Sequence, residues 1–134
     1  TMAQAMEAEH GVAIPTEPSE FVHHFPIVLQ AWHDDTLEGA PERFSSFAAR
    51  ISDALDEIKA GAGPALVVTS GGVISMTMRL HLKLDIPTMA NVALAIMNSS
   101  MHRLFPVGGT WSPVMFNAVP HLDLPARHHA QTHV

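Results

Sequence analysis

The stretch ALVVTSGGVISM, from Ala65 to Met76, decides the fold. Its first five residues, Ala65–Thr69, would present apolar or β-branched side chains on both faces of a strand, which is typical of the interior of a parallel sheet. A helical pattern begins at Gly72 and continues to Leu84. Thr69-Ser70-Gly71-Gly72 is then a tight turn from a strand into a helix. The stretch predicts an α/β fold.

This turn has the features of an anion site. Backbone N–H groups in the first turn of a helix have no partner within the helix, and the helix dipole adds partial positive charge there. Thr69 and Ser70 add hydroxyl donors, while Gly71 and Gly72 let a phosphate approach the backbone closely. The turn is neither a P-loop, since Gly-Lys-Ser/Thr is absent, nor a nucleophile elbow, since Val68 stands two residues before Ser70.

The composition describes one globular domain over residues 1–134, with 47% hydrophobic and 15% charged residues. A net charge of −6 and scattered Lys and Arg argue against nucleic acid as a partner. The chain has no cysteine, which excludes disulfides and thiolate metal sites and fits a cytoplasmic location. No apolar run approaches the roughly 20 residues of a membrane span. We expect no membrane partner and no cofactor.

Helical patterns surround the central stretch. We predict helices over Thr1–His10, with Gly11 as its stop, and over Pro26–His33, Pro41–Ala60 and Thr88–Leu94. The Pro41–Ala60 helix has the clearest apolar stripe. Its Arg50 is expected in a surface ion pair, and the methionines are expected to fill the core.

Short extended segments and loops complete the prediction. Val12–Ile14 is an expected edge strand, and Pro15–His24 an expected loop because of its two prolines. Strand segments are predicted at Ala95–Met97, Met101–Pro106 and Thr110–Asn117, the last two joined by a hairpin turn at Gly108-Gly109. The tail from Leu124 is expected to be loose.

Six segments stand in an order that resembles one enzyme family. They are AQAMEAEHGV (3–12), PSEFVHH (18–24), GAPERFSSFAARISDALDEI (39–58), ALVVTSGGVISMTMRLHLKL (65–84), MNSSMHRL (97–104) and FNAVPHLD (116–123). The order resembles that of the histidine phosphatase superfamily, also called phosphoglycerate mutase-like. The resemblance implies a three-layer α/β/α fold with a mostly parallel central sheet. It also implies a small phosphorylated substrate, hydrolysed through a phosphohistidine intermediate.

The resemblance assigns roles to two residues. Glu20 stands at the position of the acid that protonates the leaving oxygen, and its neighbours Phe21 and Pro18 favour a raised pKa. Ser70 stands where the family has its second histidine, and it brings a hydrogen-bond donor without charge. Thr69, Gly71 and Gly72 complete the implied phosphate site.

The sequence departs from the family pattern in one further respect. No Arg-His-Gly triplet, which carries the nucleophile in the family, occurs in the chain. The chain is therefore expected to be the C-terminal part of a larger domain and to be inactive alone. Its sheet would need completion by an N-terminal segment, by another chain such as a second copy in a homodimer, or by rearranged pairing.

Two other interpretations stay open on the sequence alone. One is a non-catalytic protein that binds phosphate esters or a partner. The other is a histidine-bearing metal module, although three ligands with ordered spacing are not evident. His23 and His24 are expected to be a partly exposed pair, His121 to form local hydrogen bonds, and the tail histidines to form no specific site.

Overall fold

Five helices precede a single hairpin within residues 1–133, the part of the chain that the computed structural model describes. The helices are α1 (Met2–His10), α2 (Pro18–His33), α3 (Phe44–Lys59), α4 (Gly71–Leu82) and α5 (Ile86–Ala95). The strands are β1 (Met101–Val107) and β2 (Thr110–Ala118), and a 3-10 helix follows at Pro125–Ala130. None of the helices within this range is both long and apolar enough to cross a membrane.

Local capping explains both ends of α1 and the start of α5. The Thr1 hydroxyl accepts a hydrogen bond from the Gln4 amide, and Gly11 ends α1 in the left-handed conformation with a φ of 66°. The Asp85 carboxylate caps α5 by accepting from the Thr88 amide at 2.8 Å. Both predicted helices are thus confirmed, as is α3 within slightly shorter bounds.

Helix α2 corrects the prediction of a loop over Pro15–His24. The helix begins at Pro18. A proline is tolerated in the first turn because the amide there has no partner within the helix. At this end the Glu20 carboxylate accepts from the Glu17 amide, and the Glu20 amide donates to the Glu17 backbone carbonyl. The predicted Pro26–His33 helix is only the second half of α2, and Pro26 lies inside it. Val12–Ile14 forms no strand.

The hairpin agrees with the prediction. β1 and β2 pair antiparallel, and Gly108 and Gly109 both adopt positive φ, 58° and 81°, as a tight hairpin turn requires. Ala95–Met97 is not a strand, because Ala95 ends α5 and Met97 forms only an isolated bridge with His133.

The segment after Leu124 is docked onto the body of the molecule, which corrects the expectation of a loose tail. The amide of Asn98 donates to the Thr132 carbonyl at 2.8 Å, and the Asn98 side chain reaches the Thr132 hydroxyl at 3.0 Å. These bonds tie the end of the described chain to the connection between α5 and β1.

The core lies among the helices. Helix α5 packs against both α2 and α4, and α3 packs against α4. Met76 and Met89 are fully buried, as expected for methionines that fill a core, whereas Met101 is exposed on the hairpin. Trp32 meets Phe44 edge to face, with ring centroids 5.1 Å apart, and its indole N–H donates to the Glu42 carbonyl.

The predicted parallel central sheet is absent from residues 1–133. The two strands of the hairpin pair only with each other, and Ala65–Thr69 is paired with no strand. A strand exists only through hydrogen bonds to a neighbour, and β-forming residues alone do not supply one. The described residues therefore form a group of packed helices and one two-stranded antiparallel sheet, without a larger central sheet.

Candidate functional site

The segment before the predicted turn lies on the surface. Every residue from Gly61 to Ser70 is exposed. Leu66 and Val68 are 94% and 92% exposed, and Val67 is 53% exposed. Within the described residues, the backbone groups of Ala65–Thr69 take part in no hydrogen bond. The turn that follows is accordingly open to solvent.

Helix α4 begins at this turn with an uncapped N-terminus. Ser70 is the N-cap residue in an extended conformation, with φ −98° and ψ 162°, and its hydroxyl makes no capping bond. The amides of Gly71, Gly72 and Val73 find no acceptor within residues 1–133. In α1 and α5, by contrast, a side chain of the chain itself occupies the equivalent position. The start of α4 thus presents free donors and the positive end of the helix dipole.

There is room for an anion at this helix start. A Cβ atom placed on Gly72 would meet no atom within 4 Å. The run from Ala60 to Met78 contains no ionisable side chain, so the turn attracts an anion only through amides, hydroxyls and the helix dipole. Chemistry on a phosphoryl group would require positively charged donors and a nucleophile from elsewhere.

Glu20 is placed in the first turn of α2, where local donors surround its carboxylate. Its Oε2 accepts from the amide of Thr16 at 2.8 Å, from the hydroxyl of Thr16 at 3.2 Å and from the amide of Glu17 at 3.3 Å. These hydrogen bonds, those of Thr16 and Glu17 amides first, lower the pKa of Glu20. The expectation of a raised pKa is therefore wrong for this conformation, because its apolar neighbours do not bury the carboxylate.

Glu20 and the turn are held by different elements. Helices α2 and α4 each pack on α5, and no hydrogen bond between described residues joins Glu20 to Thr69–Gly72. The four turn residues are brought together by chain continuity. The acid candidate and the anion turn are thus two separate parts of the candidate site.

The adjacent histidines differ in burial, which corrects the expectation of a partly exposed pair. His23 is exposed, whereas His24 is 7% exposed and its Nε2 is buried without a hydrogen-bond partner among residues 1–133. His24 lies one helical turn after Glu20 on α2. In a helix, neighbouring side chains point about 100° apart, so one of the two histidines can face the core while the other faces solvent. Because this segment was predicted to be a loop, the burial of His24 was not expected.

A second polar cluster links the hairpin to the end of α5 and was not predicted from the sequence. His102 Nδ1 accepts from the Asn117 amide at 3.2 Å, and its Nε2 lies 2.9 Å from the Ser100 hydroxyl. Burial lowers the pKa of His102. Because Nδ1 accepts, the neutral ring carries its proton on Nε2 and donates to Ser100, so His102 cannot activate that serine as a base in this arrangement.

Other predicted contacts are local. His121 Nε2 lies 3.0 Å from the Ser99 hydroxyl, and its carbonyl accepts from Arg127. Arg50 forms a two-pronged pair with Glu42, as expected for a surface ion pair. Within the part of the chain that is described, no three His, Asp or Glu side chains are grouped so as to hold a metal ion.

The uncapped, glycine-rich start of α4 offers free amide donors of the kind that can bind an anion. Residues 2–119 match the family model of the histidine phosphatase superfamily (branch 1). The chain belongs to this superfamily. Searches among curated proteins and among solved structures gave no match.

Proposed function

We propose that this chain binds the phosphoryl group of a small phosphomonoester at Thr69–Gly72, as part of a phosphatase that works through a phosphohistidine intermediate. The single observation that carries the proposal is the free N-terminus of α4, where three amides have no acceptor within residues 1–133. Superfamily membership supports a phosphatase-like function in general. Such a start gives a phosphate both hydrogen bonds and dipole stabilisation.

The nucleophile is proposed to come from outside residues 1–134. The sequence contains no Arg-His-Gly triplet, and the region around the turn carries no charge. In the complete domain, we propose a three-layer α/β/α fold in which Ala65–Thr69 is an interior strand of a mostly parallel sheet. The buried position would suit its apolar residues on both faces.

Glu20 and Ser70 have distinct proposed roles. Ser70 would donate its hydroxyl to a phosphoryl oxygen at the position of the second histidine, without adding charge. Glu20 would protonate the leaving oxygen. In the described conformation its lowered pKa keeps it ionised near neutral pH. A phosphate dianion close to the carboxylate, or loss of the Thr16 bonds, would raise that pKa and let Glu20 act as an acid.

The second candidate function is a non-catalytic binder of phosphate esters. The neutral Ser70 and the charge-free turn favour this alternative, because binding needs only donors whereas hydrolysis also needs positive charge and a nucleophile. Both candidate functions predict that residues 1–134 cannot hydrolyse a phosphomonoester by themselves, and incubation with such a substrate tests this. We expect neither turnover nor a phosphohistidine signal, and robust turnover would contradict the assignment of the nucleophile to another segment.

The anion site itself is tested by exchanging one amide donor. Gly71→Pro removes the amide N–H at the first position of α4, where proline fits and where the extended Ser70 before it is compatible. Gly71→Ala is the matched control, because it keeps the N–H. We expect inorganic phosphate, titrated by ³¹P NMR, to bind both the wild type and Gly71→Ala, and to bind Gly71→Pro several-fold more weakly.

Two results would overturn the assignment. One is the absence of saturable phosphate binding by the folded wild type. The other is equal affinity of the wild type and Gly71→Pro, which would place the anion elsewhere. Circular dichroism of each variant checks that α4 is retained.

A further inference from the structure

A pocket at the C-terminal end of α4 has no part in the function proposed above. It has a volume of about 420 Å³ and lies between the ends of α3 and α4 and the turn of the hairpin. Helix α4 packs against both α3 and β2, and these contacts hold the walls of the pocket together. His81, in the wall, follows Gly71 by ten residues of α4, which separates the pocket from the phosphate turn by about 15 Å along the helix.

The charges that line this pocket differ from those of the chain as a whole. The chain has 13 acidic residues and a net charge of −6, yet none of the residues that line the pocket is acidic. Lys59 and Lys83 are the only two lysines of the sequence, and both line it. Leu55, Leu80 and Trp111 add apolar surface. The pocket therefore combines an apolar wall with two cationic groups, the combination that binds an apolar ligand by one charged end.

The ammonium group of Lys59 lacks a close partner. The Lys59 side chain is only 22% exposed, and its Nζ lies 6.0 Å from the ring centroid of Trp111. Its nearest carboxylate oxygen, Oδ1 of Asp56, is 4.0 Å away, beyond hydrogen-bond distance. Asp56 is itself 74% exposed and does not line the pocket, so water screens its charge. The three N–H donors of Lys59 thus have no acceptor among the described residues, and an anion in the pocket would supply one.

The end of α4 adds a second cation and limits the charge of the ligand. Lys83 ends the helix with a φ of 55°, and its exposed side chain forms no ion pair or hydrogen bond within residues 1–133. His81 donates from Nδ1 to the Thr77 carbonyl at 2.8 Å, which fixes the ring and leaves Nε2 for a ligand. The C-terminal ends of α3 and α4 each contribute about half a negative charge, which offsets part of the lysine charge. The balance favours a ligand with one negative charge over a polyanion.

We propose that this pocket binds a small aromatic carboxylate. The carboxylate accepts charge-assisted hydrogen bonds from Lys59 and Lys83, and the ring packs against Leu55, Leu80 and Trp111. This site goes beyond the proposed phosphatase function, because it shares no residue with Thr69–Gly72 and takes a different ligand. Failure of one site therefore leaves the test of the other unaffected.

Titration of the full chain with 2-naphthoate, followed by ¹H–¹⁵N NMR, tests the proposal. The chain has two tryptophans, whose indole N–H signals report on two different places. The Trp111 signal should shift and saturate, with a dissociation constant of about 0.1 to 1 mM for so small a ligand. The Trp32 signal should stay in place, because its N–H donates to the Glu42 carbonyl away from the pocket. Neutral 2-naphthamide, which keeps the ring and loses the charge, should bind about fivefold more weakly.

Removal of single charges identifies the residues that bind the carboxylate. Lys59→Gln and Lys83→Gln should each weaken the binding of 2-naphthoate about three- to fivefold, because each removes one ammonium group from the pocket. Arg103→Gln is the matched control, since it changes the net charge equally at an exposed residue of β1 that does not line the pocket. Its affinity for 2-naphthoate should equal that of the wild type.

Three results would overturn the proposal. The first is the absence of a saturable shift of the Trp111 signal in the folded wild type, the result expected if the two lysines only stabilise the ends of α3 and α4. The second is equal affinity for 2-naphthoate and 2-naphthamide, which would show that the lysines do not bind the carboxylate. The third is an equal loss of affinity in Arg103→Gln and Lys83→Gln, which would assign the effect to net charge alone.

Discussion

The amide of Thr16 donates a hydrogen bond to Oε2 of Glu20 at 2.8 Å, across the start of α2. The Thr16 hydroxyl and the Glu17 amide donate to the same oxygen. All three donors favour the ionised carboxylate, so they stabilise the helix start more strongly while Glu20 is charged. The candidate general acid is thus also the residue that organises the loop before α2.

This double role predicts a pH-dependent contribution of Glu20 to stability. Because the folded-state pKa is lowered below the ordinary 4.5, the contribution is complete above pH 4.5 and is lost as pH falls through the folded-state value. Glu20→Ala should lower the melting temperature near neutral pH, and the difference from the wild type should shrink in acid. Thermal melts at a series of pH values give the measurement.

A matched control for this experiment is Glu57→Ala. Glu57 is an exposed residue of α3 and makes no side-chain hydrogen bond within residues 1–133. Its replacement should leave the melting temperature nearly unchanged at every pH. A direct check is the NMR titration of the Glu20 carboxyl carbon, and a midpoint above 4.5 would contradict the arrangement of donors.

Asn117 holds together the end of α5 and the end of the hairpin. Its Oδ1 accepts from the Met97 amide at 2.8 Å, and its Nδ2 donates to the Ala95 carbonyl at 2.7 Å. Its backbone is left-handed, with a φ of 58°. Asn117→Gly should lose the two side-chain bonds and lower the free energy of unfolding by about 1–3 kcal/mol.

Asn117→Ala separates the backbone from the side chain at the same position. It loses the same hydrogen bonds but keeps a Cβ in the left-handed region, so it should be about 1 kcal/mol less stable than Asn117→Gly. Urea denaturation of both variants measures the two losses. Equal stability of the alanine and glycine variants would show that the backbone strain at this position is not felt.

His102 also predicts a loss of stability as the pH falls, at a higher pH than Glu20. Burial lowers its pKa, so folding favours the neutral ring. Between the folded-state pKa and 6.5, the unfolded chain binds more protons, and the free energy of unfolding falls as pH decreases through this window. His102→Gln removes the titration. Its stability should therefore change less than that of the wild type between about pH 7.5 and about pH 5.

The control for the histidine experiment is His129→Gln. The chain has ten histidines, and His129 is exposed and without a side-chain hydrogen bond among residues 1–133. Its variant should follow the wild-type pH dependence. Long-range ¹H–¹⁵N NMR spectra should also show the His102 proton on Nε2, and a proton on Nδ1 would be incompatible with the bond from Asn117.

The features that the sequence predicted correctly are set by neighbours along the chain. Gly108-Gly109 specifies the hairpin because both positions need positive φ, and Gly11 ends α1 for the same reason. Pro15 and Pro18 led to the prediction of a loop where α2 begins. This prediction was wrong because Pro18 lies in the first turn of the helix, where proline is tolerated.

The features that could not be predicted depend on partners distant in the sequence. Ala65–Thr69 has every property of a buried strand, but pairing is decided by a second strand that its own residues do not specify. For Glu20, the apolar neighbours suggested a raised pKa, whereas the direction is decided by where the Thr16 and Glu17 amides point. The residues of Thr69–Gly72 lie together simply because they are consecutive in the chain.

The contact between α1 and the loop after α2 gives the last prediction. A Cβ built on Gly39 would lie only 2.9 Å from the Cβ of the buried Ala5. The Glu9 carboxylate fixes this approach by accepting from the amides of Glu38 and Gly39, at 2.9 and 3.0 Å. Gly39→Ala should therefore push α1 away and lower the free energy of unfolding by about 1–3 kcal/mol.

A double-mutant cycle identifies the cause of this loss. Ala5→Gly removes the atom that would clash, at a cost of about 1 kcal/mol in helix propensity. In that background Gly39→Ala should be nearly harmless, and the coupling between the two sites should be close to the clash energy. Gly63→Ala, where the new Cβ would meet nothing within 4 Å, is the control. If urea denaturation finds Gly39→Ala as stable as Gly63→Ala, α1 does not pack on this loop as closely as the 2.9 Å approach requires.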